Sequence, residues 1–221
     1  MLFRSHGWRV SDLLLKKHAV WTYYQGALRD PGLDAGATTI AYVPTKGWFW
    51  YIPQAGDVVS VGIVADKEYL FRDTKDIGEI FRREAAAQPW IARHLEPGKP
   101  TGIYKTTHDF TYRSKHCAAD GLLLCGDAFA FLDPVFSSGV FLALNGGVMA
   151  GEAVERALAS GDVSAAQFAP YADKYRYGME SMRRLVHAFY DVGFNFGAFL
   201  KAHPDMRGDI TDVLIGDLFR D

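Results

Sequence analysis

The sequence predicts an α+β fold, with an antiparallel sheet ahead of a mainly helical C-terminal region. Three observations predict it. Short runs rich in β-branched and aromatic residues between positions 37 and 64 are separated by turns too brief to hold a crossover helix. An all-apolar run, Leu122 to Cys125, is followed by Gly126-Asp127 and then by a long helical pattern. From Tyr171 onward, aromatic and Met residues recur at helical spacing. The organisation expected is an antiparallel sheet with a helix over 1–115, a strand-loop-helix segment over 116–160 and a helical region over 161–221.

In chain order, Ser11-Asp12 reads as a turn leading into a strand that holds Val20, Trp21, Tyr23 and Tyr24. Asp30-Pro31-Gly32 is a strong turn. Strands are expected over Ala37 to Val43, Gly47 to Pro53 and Val58 to Val64, joined by Thr45-Lys46-Gly47 and Ala55-Gly56-Asp57 as a meander. Asp73 to Gln88 is a helix by its Ile77, Ile80, Phe81, Ala85 spacing and ends before Pro89. Pro97 to Pro100 reads as a loop and Tyr104 to Arg113 as a strand. Tyr171 to Leu200 is helical, with Tyr171, Tyr175, Met179, Met182 and Val186 among its buried positions, and Asp205 caps a last helix ending near Phe219.

The chain is organised around Asp120 to Val154. Gly126 and Asp127 end a strand, Asp133-Pro134 punctuates the loop, and Ser137-Ser138-Gly139 stands at a helix start. A helix start presents unpaired N–H groups and a positive dipole end, which suits an anionic or carbonyl-rich ligand. Asp127 offers an acceptor carboxylate for a ligand hydroxyl, and Gly126 lets a ligand approach the backbone without a Cβ in the way. Gly139, Ala143, Gly147 and Gly151 recur every four residues along one helix face. Interior glycine costs about 0.5 to 1 kcal/mol relative to Ala, so this face is expected to receive another backbone or a flat ligand. The same residues would also suit a tightly packed unit that binds nothing.

The stretch GDAFAFLDPVFSSGVFLALNGG resembles the second FAD-binding motif of the two-dinucleotide-domain flavoproteins, which include aromatic hydroxylases, geranylgeranyl reductases and flavin-dependent halogenases. Gly47 to Pro53, GWFWYIP, is similar to the W-x-W-x-I-P motif of the halogenases through Trp48, Trp50, Ile52 and Pro53. The resemblance implies FAD as cofactor, held by Gly126, Asp127, Pro134, Ser137, Ser138, Gly139 and Val140. Asp127 would meet the ribityl chain, and the amides of Ser138 to Val140 the pyrimidine edge of the ring. Halide would bind near Ser138 and Gly139, while Trp48, Trp50, Ile52 and Pro53 would separate flavin from an aromatic substrate. A flavin reductase is an implied partner. Tryptophan-type halogenases carry Glu immediately before the S-T-G-like step, where this chain has Phe136, so the resemblance favours phenol- or pyrrole-type substrates.

No G-x-G-x-x-G follows a strand in this chain, and the halogen-carrying lysine of such enzymes has no assignable counterpart. The chain therefore reads as a C-terminal fragment of a longer flavoprotein. Three readings follow: a halogenase, a reductase or monooxygenase of the same fold, and a remnant that folds without catalysing. A net charge of −2 and pI near 6.4 give no global positive field to recruit nucleic acid. Two cysteines without C-x-x-C spacing suit a reducing compartment, and no signal peptide or membrane span is evident, so a cytoplasmic location is expected. The seven histidines lack metal-ligand spacing, so no metal is expected, and Ser137-Ser138 lacks a nucleophile elbow.

Overall fold

The structure is a computed structural model that describes residues 6–44, 47–108 and 110–219. Its first elements are β1 (Arg9–Ser11), β2 (Lys17–Gln25), β3 (Thr39–Val43), β4 (Gly47–Gln54), β5 (Val58–Asp66), α1 (Lys67–Leu70), α2 (Ile77–Ala87), α3 (Pro89–Leu95) and β6 (Lys99–His108). Then come β7 (Tyr112–Ser114), β8 (Ala118–Ala119), β9 (Leu122–Leu123), β10 (Ala130–Phe131), α4 (Gly139–Ser160), α5 (Ala169–Tyr190), α6 (Phe196–Ala202) and α7 (Arg207–Leu214). The chain divides into two compact units: Lys16–Asp109, and Met1–Leu15 together with Phe110–Asp221.

The Lys16–Asp109 unit is built on a five-stranded antiparallel sheet in the order β3-β4-β5-β2-β6. Strand β5 is central and buried from Val59 to Ala65, as suits a run with β-branched residues pointing to both sides. The expected meander forms; its second turn uses left-handed backbone at Gly56 and Asp57, while Thr45-Lys46 of the first turn lies outside the described residues. Alternation along β4 sends Phe49 and Tyr51 into a core beneath α2 and α3, where they meet Phe81 and Trp90 with ring centroids 6.4 and 5.2 Å apart. Trp48, Trp50 and Ile52 alternate with them and so point to the opposite face, Trp50 beside Trp21 of β2. Gly62 stands across from Trp50 because any Cβ there would run into the Trp50 ring.

Helix α2 starts at Asp76, whose carboxylate caps the Glu79 amide at 2.9 Å. It stops before Pro89, as the sequence suggests. The proline then opens α3, a helix not expected from the sequence: its missing N–H is one the first turn leaves unpaired anyway, and Gln88 caps Ile91. Lys99 and Pro100, read as loop, already belong to β6.

The other unit joins a three-stranded antiparallel sheet, β1-β7-β10, to a helical core. Leu142, Ala153 and Ala157 of α4 pack with Tyr171, Tyr175, Met179 and Met182 of α5, so the Met-aromatic stripe is core. The expected strand over Tyr104 to Arg113 is divided between β6 and β7, with Asp109 outside the described residues. The expected helix to Leu200 breaks after Tyr190. Asp191 turns extended and accepts from the Gly193 amide, and Asn195 caps α6 through the Ala198 amide at 2.8 Å. Met206, which makes no side-chain capping bond, stands at the N-cap position of α7 in place of Asp205, which lies in the preceding 3-10 turn. The apolar run at Leu122 forms only a two-residue strand paired with β8, and both of its leucines are half-buried. Among the described residues no helix is long and apolar enough to cross a membrane.

Candidate functional site

The turn after β9 is the first part of the site. Cys125 is extended, Gly126 has φ +52°, and the chain makes one 3-10 turn over Gly126–Ala128. Glycine suits this position best: the dihedral is left-handed, and a Cβ would stand a tight 3.0 Å from the Ala143 side chain on α4. The turn is clamped from below by Tyr175. Its buried hydroxyl accepts the Gly126 amide at 2.9 Å and donates to the Leu142 carbonyl of α4 at 3.2 Å. One phenol thus ties the turn to the first coil of the helix. The Tyr175 ring lies against Gly146, where an added Cβ would be 2.6 Å away, and burial pushes its ionisation up to about 12.

Asp127 follows on the outer side of this turn. Its backbone carbonyl accepts the Tyr112 hydroxyl at 2.8 Å, while its carboxylate is exposed and has no protein hydrogen bond or ion pair among the described residues. The opposite holds for Asp133, which is buried, accepts the Val135 amide at 3.2 Å and the Tyr190 hydroxyl at 2.9 Å, and so fixes the loop leading to α4. Ser137 then adopts left-handed backbone, φ +52° and ψ +27°, the rarer choice for a residue with a side chain. Ser138 is the N-terminal cap of α4, yet its side chain makes no capping bond, leaving the amides of the first turn without side-chain acceptors from the cap.

These pieces meet. Gly126, Asp127, Pro134, Ser138 and Gly139 line one recess, whose enclosed part is about 50 Å³ and whose walls include Leu132, Leu142 and Tyr175. That volume holds the edge of a ring system and not the whole of one. The chemistry of the walls fits the ring end of a flavin: a carboxylate without a partner, a helix start with open amides and a glycine that lets a ligand close to the backbone. Ser137 and Val140 are not part of the recess. Ser137 turns the chain, and Val140 points outward, 75% exposed. Trp48 is buried and Trp50 half-buried in the other unit, on one sheet face.

A larger cavity of about 180 Å³ lies on the far side of β10, sharing Ala130, Leu132 and Met179 as wall. It is rimmed by Asp12, Arg113, Glu180 and Arg183. His187 Nε2 is 2.8 Å from Asp12 Oδ2, and Arg183 is 2.7 Å from Glu180. Burial raises the Asp12 pKa, but the His187 hydrogen bond, the Leu14 amide and the neighbouring positive charges outweigh it and hold the carboxyl below its usual range. Its cations and anions pair with one another, so this cluster is a brace around α5.

Sequence reading missed Tyr175, Asp133 and Tyr190 as parts of the site. The available signal was a hydroxyl in an apolar stripe, since a buried Tyr needs a partner.

The profile described as tryptophan halogenase matches residues 8–201. The 1H-pyrrole-2-carbonyl-[peptidyl-carrier protein] brominase of Pseudoalteromonas luteoviolacea is 30% identical over 96% of this chain and 52% of its own length. The corresponding chlorinase of Pseudomonas fluorescens is 27% identical over 99% of this chain and 50% of its own. The solved structure of the flavin-dependent brominase Bmp2 superposes with a TM-score of 0.85 at 28% identity, covering 96% of this chain and 53% of that one. The chain spans about half the length of the curated relatives it matches.

Proposed function

The chain belongs to the tryptophan halogenase family, and from that premise we propose that it is the ring-binding part of a cytoplasmic FAD-dependent halogenase acting on a phenol- or pyrrole-type aromatic substrate. The observation that carries this reading is the meeting of Gly126, the unpaired Asp127 carboxylate and the open start of α4 in one recess.

Asp127 is assigned to accepting hydroxyl protons of the ribityl chain, and the amides of Ser138, Gly139 and Val140 to donating to the carbonyl edge of the ring. Pro134 and Ser137 shape the turn that brings those amides forward. Halide is assigned to the same amides, since a helix start favours an anion. Bound flavin supplies the redox chemistry that activates O₂ and halide; the protein positions and shields. The tryptophan strand, Trp48 to Pro53, is assigned to keeping flavin and substrate apart.

Phe136 supports the substrate class. It packs edge-on against Phe189 and Phe196 at 5.8 and 6.4 Å, surroundings in which a carboxylate would be desolvated. A flavin reductase would deliver reduced cofactor. The test is reconstitution with the part of the brominase that this chain does not span, followed by FAD titration and product analysis by mass spectrometry. Asp127→Asn is expected to weaken FAD binding at least tenfold without lowering the thermal midpoint, and product is expected only with chloride or bromide present. Oxygenated or reduced product without halide would favour a monooxygenase or reductase, and FAD binding unaffected by the substitution would overturn the site.

A further inference from the structure

The cavity of about 180 Å³ beside β10 is a gap between two layers. Val10 of β1 and Ala130 of β10 both stand opposite Arg113 of β7 in register, so the three side chains share one face of the sheet. Helix α5 adds Met179, Glu180 and Arg183 to the wall. Ala130 carries only a methyl group, and with Leu132 and Met179 it makes an apolar floor over a gap that close packing would otherwise fill. An apolar cavity of about 150 Å³ takes one benzene-sized ring, so this one has room for a single ring and a small substituent.

Two polar groups in the wall are left over once the protein's own bonds are made. The brace joins Asp12, Glu180, Arg183 and His187. Asp12 takes the Leu14 amide at 3.0 Å, the His187 ring at 2.8 Å and Arg183 at 3.4 Å, while Glu180 takes Arg183 at 2.7 Å. Arg113 stands outside that closure. Its Nε is 3.6 Å from Glu180 Oε1, its side chain is 46% exposed, and its guanidinium makes no hydrogen bond among the described residues. The Thr111 hydroxyl, two residues earlier in the same wall, is buried and has no hydrogen-bond partner either. A buried hydroxyl costs stability unless something meets it. A planar fork with open donors and a hydroxyl, both beside an apolar floor, suit a carboxylate carried on an apolar body. A ligand amine would have to compete with Arg183 and His187 for the two carboxylates.

We propose that this cavity binds a small aromatic carboxylic acid, its ring against Ala130, Leu132 and Met179 and its carboxylate on the Arg113 guanidinium and the Thr111 hydroxyl. Burial of the ring drives binding, and the charge-assisted bonds fix its orientation. The recess at Gly126 shares those three apolar residues as wall but neither polar group, so the proposal does not rest on the flavin reading.

The test is calorimetric titration of this chain, without flavin, with benzoate and with benzamide, its neutral counterpart. Benzoate is expected to bind saturably and one to one, about tenfold or more tighter than benzamide. It is also expected to shift the NMR methyl signals of Ala130 and Met179 and to leave that of Ala41, in the other unit, in place. Arg113→Gln is expected to weaken benzoate about tenfold or more and to leave benzamide unchanged. Arg113→Lys, which keeps the charge and loses the fork, is expected to recover only part of that loss. Thr111→Val is expected to weaken benzoate severalfold with no fall in thermal midpoint, since the hydroxyl it removes is unpaired in the free protein. No saturable binding, equal affinity for benzoate and benzamide, methyl shifts confined to other residues, or benzoate affinity indifferent to Arg113→Gln would each overturn the proposal.

Discussion

The two units close their surfaces differently. In the sheet unit the central strand is buried from Val59 to Ala65, the ladder runs through five strands with one register shift between Thr22 and Tyr24, and α2 and α3 seal one face around Phe49, Tyr51 and Phe81. In the other unit a helix of 22 residues buries one side and leaves an apolar stripe on the other, and its neighbouring strand pairs over two residues only. The lesson concerns what hydrophobicity means. Apolar residues in β5 are spent on stability within the chain, whereas those on the outer side of α4 contribute nothing until something covers them.

The sharpest way to break that contrast is to cut into the sealed core. Phe49→Ala is expected to cost about 3–5 kcal/mol, read from urea unfolding, because the ring is fully buried under α2. Next is Tyr175→Phe, which leaves the Gly126 amide buried without its acceptor; a loss of about 1–3 kcal/mol is expected by the same measurement, together with faster exchange of that amide.

Alkaline pH discriminates the units further. Burial raises the Cys117 thiol from 9.0, and the Tyr51 and Tyr175 phenols from 10.0, to about 12, and raises Tyr171 as well. Groups raised in the folded state protect it fully below their unfolded values, and that protection is lost as pH climbs through the folded ones. Because Cys117, with the lowest starting value, lies in the helical unit, circular dichroism is expected to show helix weakening from about pH 9 before the sheet weakens. The smallest effect is at acid pH. Asp12 is lowered by His187 and its neighbours, so its contribution is present above its ordinary pKa and fades as pH falls below it; Asp12→Asn is expected to flatten the acid limb of a stability-against-pH curve.

Much of this was legible in the residues. Period-two alternation and short spacers specify the β3-β4-β5 meander, and Gly126-Asp127 with Ser138-Gly139 mark the two sides of the recess, because turn and cap chemistry is local. Tertiary partners were not legible. The small-residue row Gly139, Ala143, Gly147, Gly151 looks uniform in sequence, but Ala143 meets Gly126 while the three glycines face open space, and the tight approach falls one residue away at Gly146. Likewise the break at Asp191 depends on side chains folding back on the backbone, which competes with a helix that periodicity alone would continue.

Strands β1 and β7 are antiparallel neighbours, and just past their ladder the Asp12 amide bonds to the Thr111 carbonyl at 3.1 Å. Everything from Lys16 to Asp109 is therefore an excursion that departs and returns at one doorway. Closure entropy rises only slowly with the length of such an excursion, so evolution could lengthen, shorten or exchange the whole cassette while the host ladder stayed in register. Chimaeras spliced at this doorway, with one host and many cassettes, are expected to keep the β1-β7 ladder intact.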